Sequence, residues 1–354
     1  MSSNEQKPKI AVSVGDINGI GYEIIVKTLE NKDIMDFFTP VIFGSTRHLT
    51  YLKNQLDYQS MQFYGIDNPA AALERKINVL NIWKEPAEIE FGTPSETAGK
   101  MAYDSLKAAA EAVRNGYCDV LVTAPINKKN IQSEAFNFPG HTEYLGETWG
   151  GNPLMFLVSE TMKVSLVTQH IPIKEVATTI TQELITQKII AMHDSLIQDF
   201  RVRKPKIAVL GLNPHSGDDG LLGKEEQEII IPAIQLLYNK GMLVYGPYAA
   251  DSFFSPSNLQ AFDAVLGMYH DQVLIPFKTL CFNDGVNYTA ALPFVRTSPD
   301  HGVAYDIAGK GIADETSFKE AIFTAIDIFK VRNEYKELTA NPLKPHNPKK
   351  LKDN

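Results

Sequence analysis

The sequence predicts an α/β fold with parallel strands and crossover helices. Six short apolar runs have the length and β-branched content of buried strands, and helical stretches lie between them. Length is the third observation: 354 residues suggest about two domains, since one domain typically takes ~100–200. The strands are expected at 9–14, 39–43, 119–123, 164–168, 206–210 and 264–268. Parallel strands are covered on both faces, so these runs are nearly continuous in Val, Ile and Leu. Helices are expected at 21–31, 96–115 and 225–240; the second has Ser95 and Thr97 at its start and Asn115-Gly116 at its end, as caps require. Between the first strand and helix lies a Gly-rich turn with glycines at 15, 19 and 21. A need for positive φ and close packing accounts for it. It is not the G-x-G-x-x-G fingerprint, which appears nowhere else, so any nicotinamide cofactor is not held Rossmann-fashion. The tail from 341, rich in Pro, Lys and Asn, reads as a flexible solvated extension.

Composition excludes several classes of partner. The chain is 44% hydrophobic and 21% charged, as a globular protein with a real core should be. A net charge of −8 gives no global field to attract nucleic acid or anionic lipid, so the cations must act locally. Two cysteines, Cys118 and Cys281, cannot make a disulfide framework and suit a reducing compartment. Neither an apolar signal core nor a run long enough to span a membrane is present. The expectation is a cytoplasmic enzyme without nucleic-acid or membrane partners.

The unusual polar residues follow the ends of predicted strands. Asp16, Thr123, Thr168-Gln-His170, Leu212-Asn-Pro-His215 and Met268-Tyr-His270 all do so. In open α/β sheets ligands bind beyond the strand carboxyl ends, so these five segments are expected along one edge. Neutral imidazole is a common metal ligand. His170, His215 and His270 lack any local zinc-finger spacing, and their case as a three-histidine divalent-metal centre rests on their strand-end positions. His48, His193 and His346 sit in polar or helical settings and read as ordinary histidines. Metal-bound imidazoles need orienting partners, for which Asp271 and Asp251 are candidates. Three imidazoles suit Zn²⁺, Co²⁺ and other ions alike. Lys278 and Arg296, with Asn287 between them, are what a phosphorylated substrate needs.

Five motifs carry a family resemblance: Pro139-Gly-His-Thr-Glu143; Gly211-Leu-Asn-Pro-His-Ser-Gly217 with Gly223-Lys-Glu-Glu226; Met268-Tyr-His-Asp-Gln272; Leu292-Pro-Phe-Val-Arg-Thr-Ser298; and Asp300-His-Gly-Val-Ala304. In this order the chain resembles the 4-hydroxythreonine-4-phosphate dehydrogenase family from Val12 to about Phe329. The loop from Asp300 to Gly311 is also similar to the nucleotide loop of isopropylmalate and isocitrate dehydrogenases, which share that family's fold. The resemblance implies two α/β/α domains with a cleft between them: 1–140 plus 300–340, and 141–299. It implies that His170, His215 and His270 bind one divalent ion (Zn²⁺, Co²⁺ or Mg²⁺), with ligands from both subunits of a homodimer. His141, Thr142, Lys278, Asn287 and Arg296 match its substrate residues, and Asp251 and Asp271 match aspartates that maintain the site; Asp271, Lys278 or a metal-linked water could act as general base. Asp300, His301, Gly302, Asp306 and Gly309 are expected to bind NAD or NADP.

The implied reaction oxidises 4-phosphooxy-L-threonine to 2-amino-3-oxo-4-phosphobutanoate. That product decarboxylates to 3-amino-2-oxopropyl phosphate, on the route to pyridoxal 5'-phosphate. A 4-phosphothreonate or 4-phosphoerythronate dehydrogenase would carry nearly the same motifs. A metal-dependent phosphohydrolase would share the histidines and cations but has no use for the 300–311 loop. The chain departs from the family at Ile17, Asn18, Tyr22 and Asn127.

Overall fold

The computed structural model describes residues 7–281 and 284–342. The tail expected from 341 therefore lies outside the described residues beyond its first two positions. Twelve strands form one mixed sheet: β1 Lys9–Ser13, β2 Thr39–Gly44, β3 Phe63–Ile66, β4 Ile77–Asn81, β5 Val120–Thr123, β6 Leu154–Val158, β7 Lys163–Leu166, β8 Lys206–Leu210, β9 Leu243–Tyr248, β10 Ala264–Gly267, β11 Val286–Ala290 and β12 Val295–Pro299. Their order is β3-β4-β2-β1-β5-β12-β11-β6-β7-β10-β8-β9. All six strands read from apolar runs are present, each within two residues of its expected bounds.

Strand direction corrects one expectation. β3, β4, β2, β1, β5 and β12 form one parallel block, and β7, β10, β8 and β9 form another. β11 is antiparallel to both β12 and β6, and β6 is antiparallel to β7. The two blocks therefore run in opposite directions. The strand ends that deliver Asp16 and Thr123 do not share an edge with those that deliver His170, His215 and His270. The one-edge reading assumed a sheet parallel throughout.

Eleven α-helices cover the sheet among the described residues: α1 Gly21–Glu30, α2 Thr46–Gln55, α3 Glu96–Arg114, α4 His141–Trp149, α5 Ile173–Thr179, α6 Gln182–Phe200, α7 Ile231–Tyr238, α8 Ala250–Phe253, α9 Pro256–Ala261, α10 His270–Leu280 and α11 Thr316–Thr339. In α3 the Ser95 side chain accepts from the backbone N–H of Ala98 at 3.2 Å, the expected cap. Its Ala98, Met101, Ala102, Leu106, Ala109 and Val113 recur at helical spacing and are buried, which is why this segment folds onto the sheet. The helix expected at 225–240 is instead a wide π-turn over Glu226–Ile230 followed by α7. Pro232 lacks the N–H that would bond the carbonyl of residue 228, so a regular helix cannot run through it.

The Gly-rich turn behaves as a packing device. Gly15 has φ +68°, and a Cβ there would lie 2.2 Å from the Pro125 carbonyl oxygen. A Cβ on Gly19 would lie 2.7 Å from the carbonyl of Val303. The departures Ile17, Asn18 and Tyr22 are all buried beside it. Asn18 binds the 90–93 backbone through both ends of its amide, and the Tyr22 hydroxyl accepts from the Ser45 N–H at 3.1 Å. Among the described residues no helix is long and apolar enough to cross a membrane.

Candidate active site

The site begins with Arg296 on β12, only 2% exposed. Its direct cross-strand neighbour on β11 is Thr289, and Thr123 ends the adjoining strand β5. The guanidinium donates to Thr123 Oγ1 (2.7 Å from Nη2 and 3.2 Å from Nε), to Thr289 Oγ1 (3.1 Å from Nη1) and to His141 Nδ1 (3.1 Å from Nη2). These bonds use four of five N–H groups and leave one on Nη1. Arg296 forms no ion pair among the described residues. Burial without a counter-anion pulls its pKa down, opposed by the charge of Glu143. A buried cation without its own carboxylate is costly unless an anion completes it.

His141 supplies the second donor. Its Nδ1 accepts from an arginine, which has no acceptor, so the ring proton sits on Nε2. That Nε2 is buried and has no partner. His141 also opens α4, whose N-cap Gly140 provides no side chain, so the first backbone N–H groups of His141 and Thr142 are available to an anion. Asn287 lies two residues from Thr289 on the same face of β11, and its Oδ1 is likewise buried without a partner. The arrangement gathers a buried cation and unpartnered polar atoms on one face of the central strands, chemistry that an anion would complete. With four N–H groups committed, Arg296 has one hydrogen bond left to offer an anion and His141 the next.

The neutral state of His141 has a pH consequence. Burial, then Arg296, then Lys128 hold its pKa well below the ordinary histidine value. The unfolded chain therefore takes up this proton first. Stability is complete above about pH 6.5 and falls as pH drops below that value toward the folded-state pKa, by about 1.4 kcal/mol per pH unit for this group. Urea midpoints measured from pH 7.5 to 5.5 should fall more steeply for the wild type than for His141→Gln. Parallel curves would remove His141 as the cause.

The histidines divide. His170, in the loop after β7, and His270, first in α10, have ring centroids 5.9 Å apart and planes tilted by 43°. His270 Nδ1 lies 2.7 Å from Asp271 Oδ1, which leaves the Nε2 lone pair for a ligand; a carboxylate on the other ring nitrogen is what a metal-binding imidazole would need. His215 is exposed in a separate, left-handed turn: residues 215–219 all have φ between 43° and 81°. Backbone of that kind costs about 1–2 kcal/mol per non-glycine residue and must be held from outside. Glu226, only 2% exposed, holds it by accepting from the backbone N–H groups of Leu212 and Asn213 at 2.7 Å each. His215, Asp251 and Asp271 line a hollow of about 700 Å³. Among the described residues of one chain no three acids, cysteines or histidines converge as a metal site. The donor chemistry suits a divalent ion, but one protomer brings only two imidazoles together.

The remaining candidates fall nearby or apart. Lys278 donates to the Asp300 carbonyl at 3.0 Å and pairs with its carboxylate at 3.3 Å. His301 Nδ1 lies 3.1 Å from the Gly302 carbonyl, which makes it the donor and leaves the buried Nε2 as an unpartnered acceptor. A Cβ on Gly302 would meet nothing within 4 Å, so its backbone is open to approach, whereas Gly309 (φ +75°) is packed against Phe91. Asp306 and Asp251 are exposed. Asn127 donates to the Tyr305 hydroxyl at 3.1 Å, which in turn donates to buried Asp16 at 2.7 Å, so this departure ties the 300–311 loop to the Gly-rich turn. Sequence reasoning assigned no role to Thr289, Glu226 or Lys128, whose ammonium lies 3.3 Å from His170 Nε2. Thr289 could have been found from its two-residue spacing to Asn287.

Residues 36–325 match the family model described as pyridoxal phosphate biosynthetic protein PdxA. A 4-hydroxythreonine-4-phosphate dehydrogenase of Bacteroides thetaiotaomicron is 52% identical over 342 residues, 96% of this chain and 94% of that relative. A putative D-threonate 4-phosphate dehydrogenase of Oceanobacillus iheyensis is 38% identical, covering 91% of this chain and 98% of that relative. Among solved structures, a 4-hydroxythreonine-4-phosphate dehydrogenase from Klebsiella pneumoniae superposes with a TM-score of 0.80 at 34% identity, covering 91% of this chain and all of that one. With the family model matched across most of its length, this chain belongs to the PdxA family.

Proposed function

We propose that this chain oxidises 4-phosphooxy-L-threonine to 2-amino-3-oxo-4-phosphobutanoate, which loses CO₂ to give 3-amino-2-oxopropyl phosphate, using NAD or NADP and a divalent ion. The observation that carries this is the buried Arg296, ion-paired to no carboxylate among the described residues and bonded to His141, with Lys128 reaching from beside Gly140 to the imidazoles of His170 and His270. Relatives named 4-hydroxythreonine-4-phosphate dehydrogenase support it. When bound, the metal supplies Lewis-acid stabilisation of the reacting oxygen and the nicotinamide accepts the hydride.

The chain's own residues do the rest. The free Nη1–H of Arg296, Nε2–H of His141 and the α4 N-terminus with Thr142 hold the phosphate, with the Asn287 amide beside them. Asp271 orients His270; Asp271, Lys278 and Asp251 are the candidates to take the substrate proton. Asp300, His301, Gly302, Asp306 and Gly309 serve the nucleotide: the unpartnered His301 Nε2 suits a ribose or amino donor, and open Gly302 lets it approach. The units 1–140 plus 300–340 and 141–299 are proposed as the two walls of the cleft.

The working form is proposed to be a homodimer that shares its sites. Ile275 (64% exposed) borders the hollow lined by His215, and Ile173 (72%) lies beside His170 and His270, exposed apolar side chains that a partner subunit would cover. His215 of the partner subunit would then complete the imidazole pair.

The Oceanobacillus relative favours D-threonate 4-phosphate as a second reading, because the pocket described here recognises the phosphate the two substrates share. Assays at the NADH absorbance with both substrates and Co²⁺ or Zn²⁺ decide between them. The amino substrate should be turned over with the higher kcat/KM. Faster turnover of the threonate would establish the second reading, and oxidation of neither would overturn both.

A further inference from the structure

Lys128 stands where the two halves of the site meet. It lies in the loop after β5, exposed to solvent, and forms no ion pair among the described residues. Its ammonium is 3.3 Å from His170 Nε2. Its Cε lies 3.7 Å from the position of a Cβ on Gly140, the residue before His141. The side chain thus spans from the anion pocket to the imidazole pair. An ammonium has only donors, so His170 Nε2 must offer it a lone pair. An imidazole nitrogen has one lone pair, and it can serve Lys128 or a metal ion but not both. Two further N–H groups of the ammonium remain for other acceptors.

We propose that Lys128 is a substrate-binding cation that competes with the divalent ion for His170 and, when displaced, turns to the anionic substrate beside His141. The proposal rests on the metal reading above. It gives one residue two effects of opposite sign. A positive charge beside the ion weakens metal binding, while the same charge beside a phosphate or carboxylate strengthens substrate binding. A residue that merely supported the loop would weaken both when removed. The anionic group could be the substrate's phosphate or its carboxylate, and analogues lacking one or the other separate the two.

The test uses full-length wild type, Lys128→Met and Lys128→Arg. Co²⁺ is titrated into each protein without substrate, followed by the visible absorption of imidazole-bound Co²⁺. Lys128→Met should bind Co²⁺ roughly tenfold tighter or more, because a unit charge beside a divalent ion is costly even at the dielectric of water. Its KM for the phosphorylated substrate should rise about tenfold, and Lys128→Arg should move both values back toward wild type. The side chain is exposed, so neither substitution disturbs a core. Unchanged or weaker Co²⁺ binding by Lys128→Met, with wild type binding normally, overturns the proposal alone. A wild type that binds no divalent ion overturns the metal reading and the proposal together. If wild type binds Co²⁺ yet oxidises no substrate, the proposed reaction fails while the affinity comparison still decides the role of Lys128.

Discussion

Replacing Arg296 by Lys should lower kcat/KM for the phosphorylated substrate about 10- to 150-fold, with far less loss for an analogue lacking the phosphate. Hydrogen bonds to charged groups contribute about 1.5–3 kcal/mol, which sets that range. A lysine cannot copy the site, because Arg296 organises its surroundings as it binds: the same guanidinium fixes Thr123, Thr289 and the tautomer of His141. A swung ammonium would release His141 Nδ1 and with it the reason Nε2 carries a proton. Arg296 is buried and has no carboxylate partner among the described residues, which argues against a surface ion pair as its purpose. Steady-state kinetics on both substrates, with circular dichroism to check folding, measure the effect. Equal losses for the two would remove the phosphate from the account.

Much of the fold was legible because parallel strands buried on both faces cannot hide. The runs at β1, β2, β5, β7, β8 and β10 are nearly all apolar, and each proved to be a strand. β11 and β12 were not seen, since Asn287, Thr289, Arg296, Thr297 and Ser298 give them the composition of a loop. Thr289, Arg296, Thr297 and Ser298 are nonetheless buried, and tertiary context overrides strand propensity there. Missing that hairpin, and the wholly apolar β6 that pairs antiparallel with both β11 and β7, concealed the reversal of the second block, on which the geometry of the site depends. Direction of pairing is set by long-range contacts that a window of sequence does not contain. The candidate residues themselves were readable as residue types at motif positions. Lys128 was not, because its meaning comes only from the 3.3 Å approach to His170, 42 residues away in the chain.

Removing the metal should abolish turnover, and mixing variants should then reveal how the ligands are shared. His170 and His270 lie together in one chain, while His215 sits apart in a left-handed turn facing a hollow bordered by exposed apolar side chains. If the partner's His215 completes the pair, dimers formed from His215→Ala and His270→Ala subunits contain one site with all three ligands and one with only one. Random re-association makes about half the dimers mixed, so about a quarter of wild-type activity should return. Mixing His170→Ala with His270→Ala should restore nothing, because every site then lacks one member of the pair. The two mixtures differ only in which ligands share a protomer, so folding defects and weak dimerisation cannot mimic the contrast. None of the three substitutions should unfold the chain, since His170 and His215 are exposed and His270 opens a helix with its side chain partly in solvent. Activity recovered from the His170 and His270 variants would place those two ligands in different subunits. Full activity after exhaustive chelation, with no metal detected by elemental analysis, would end the metal reading altogether.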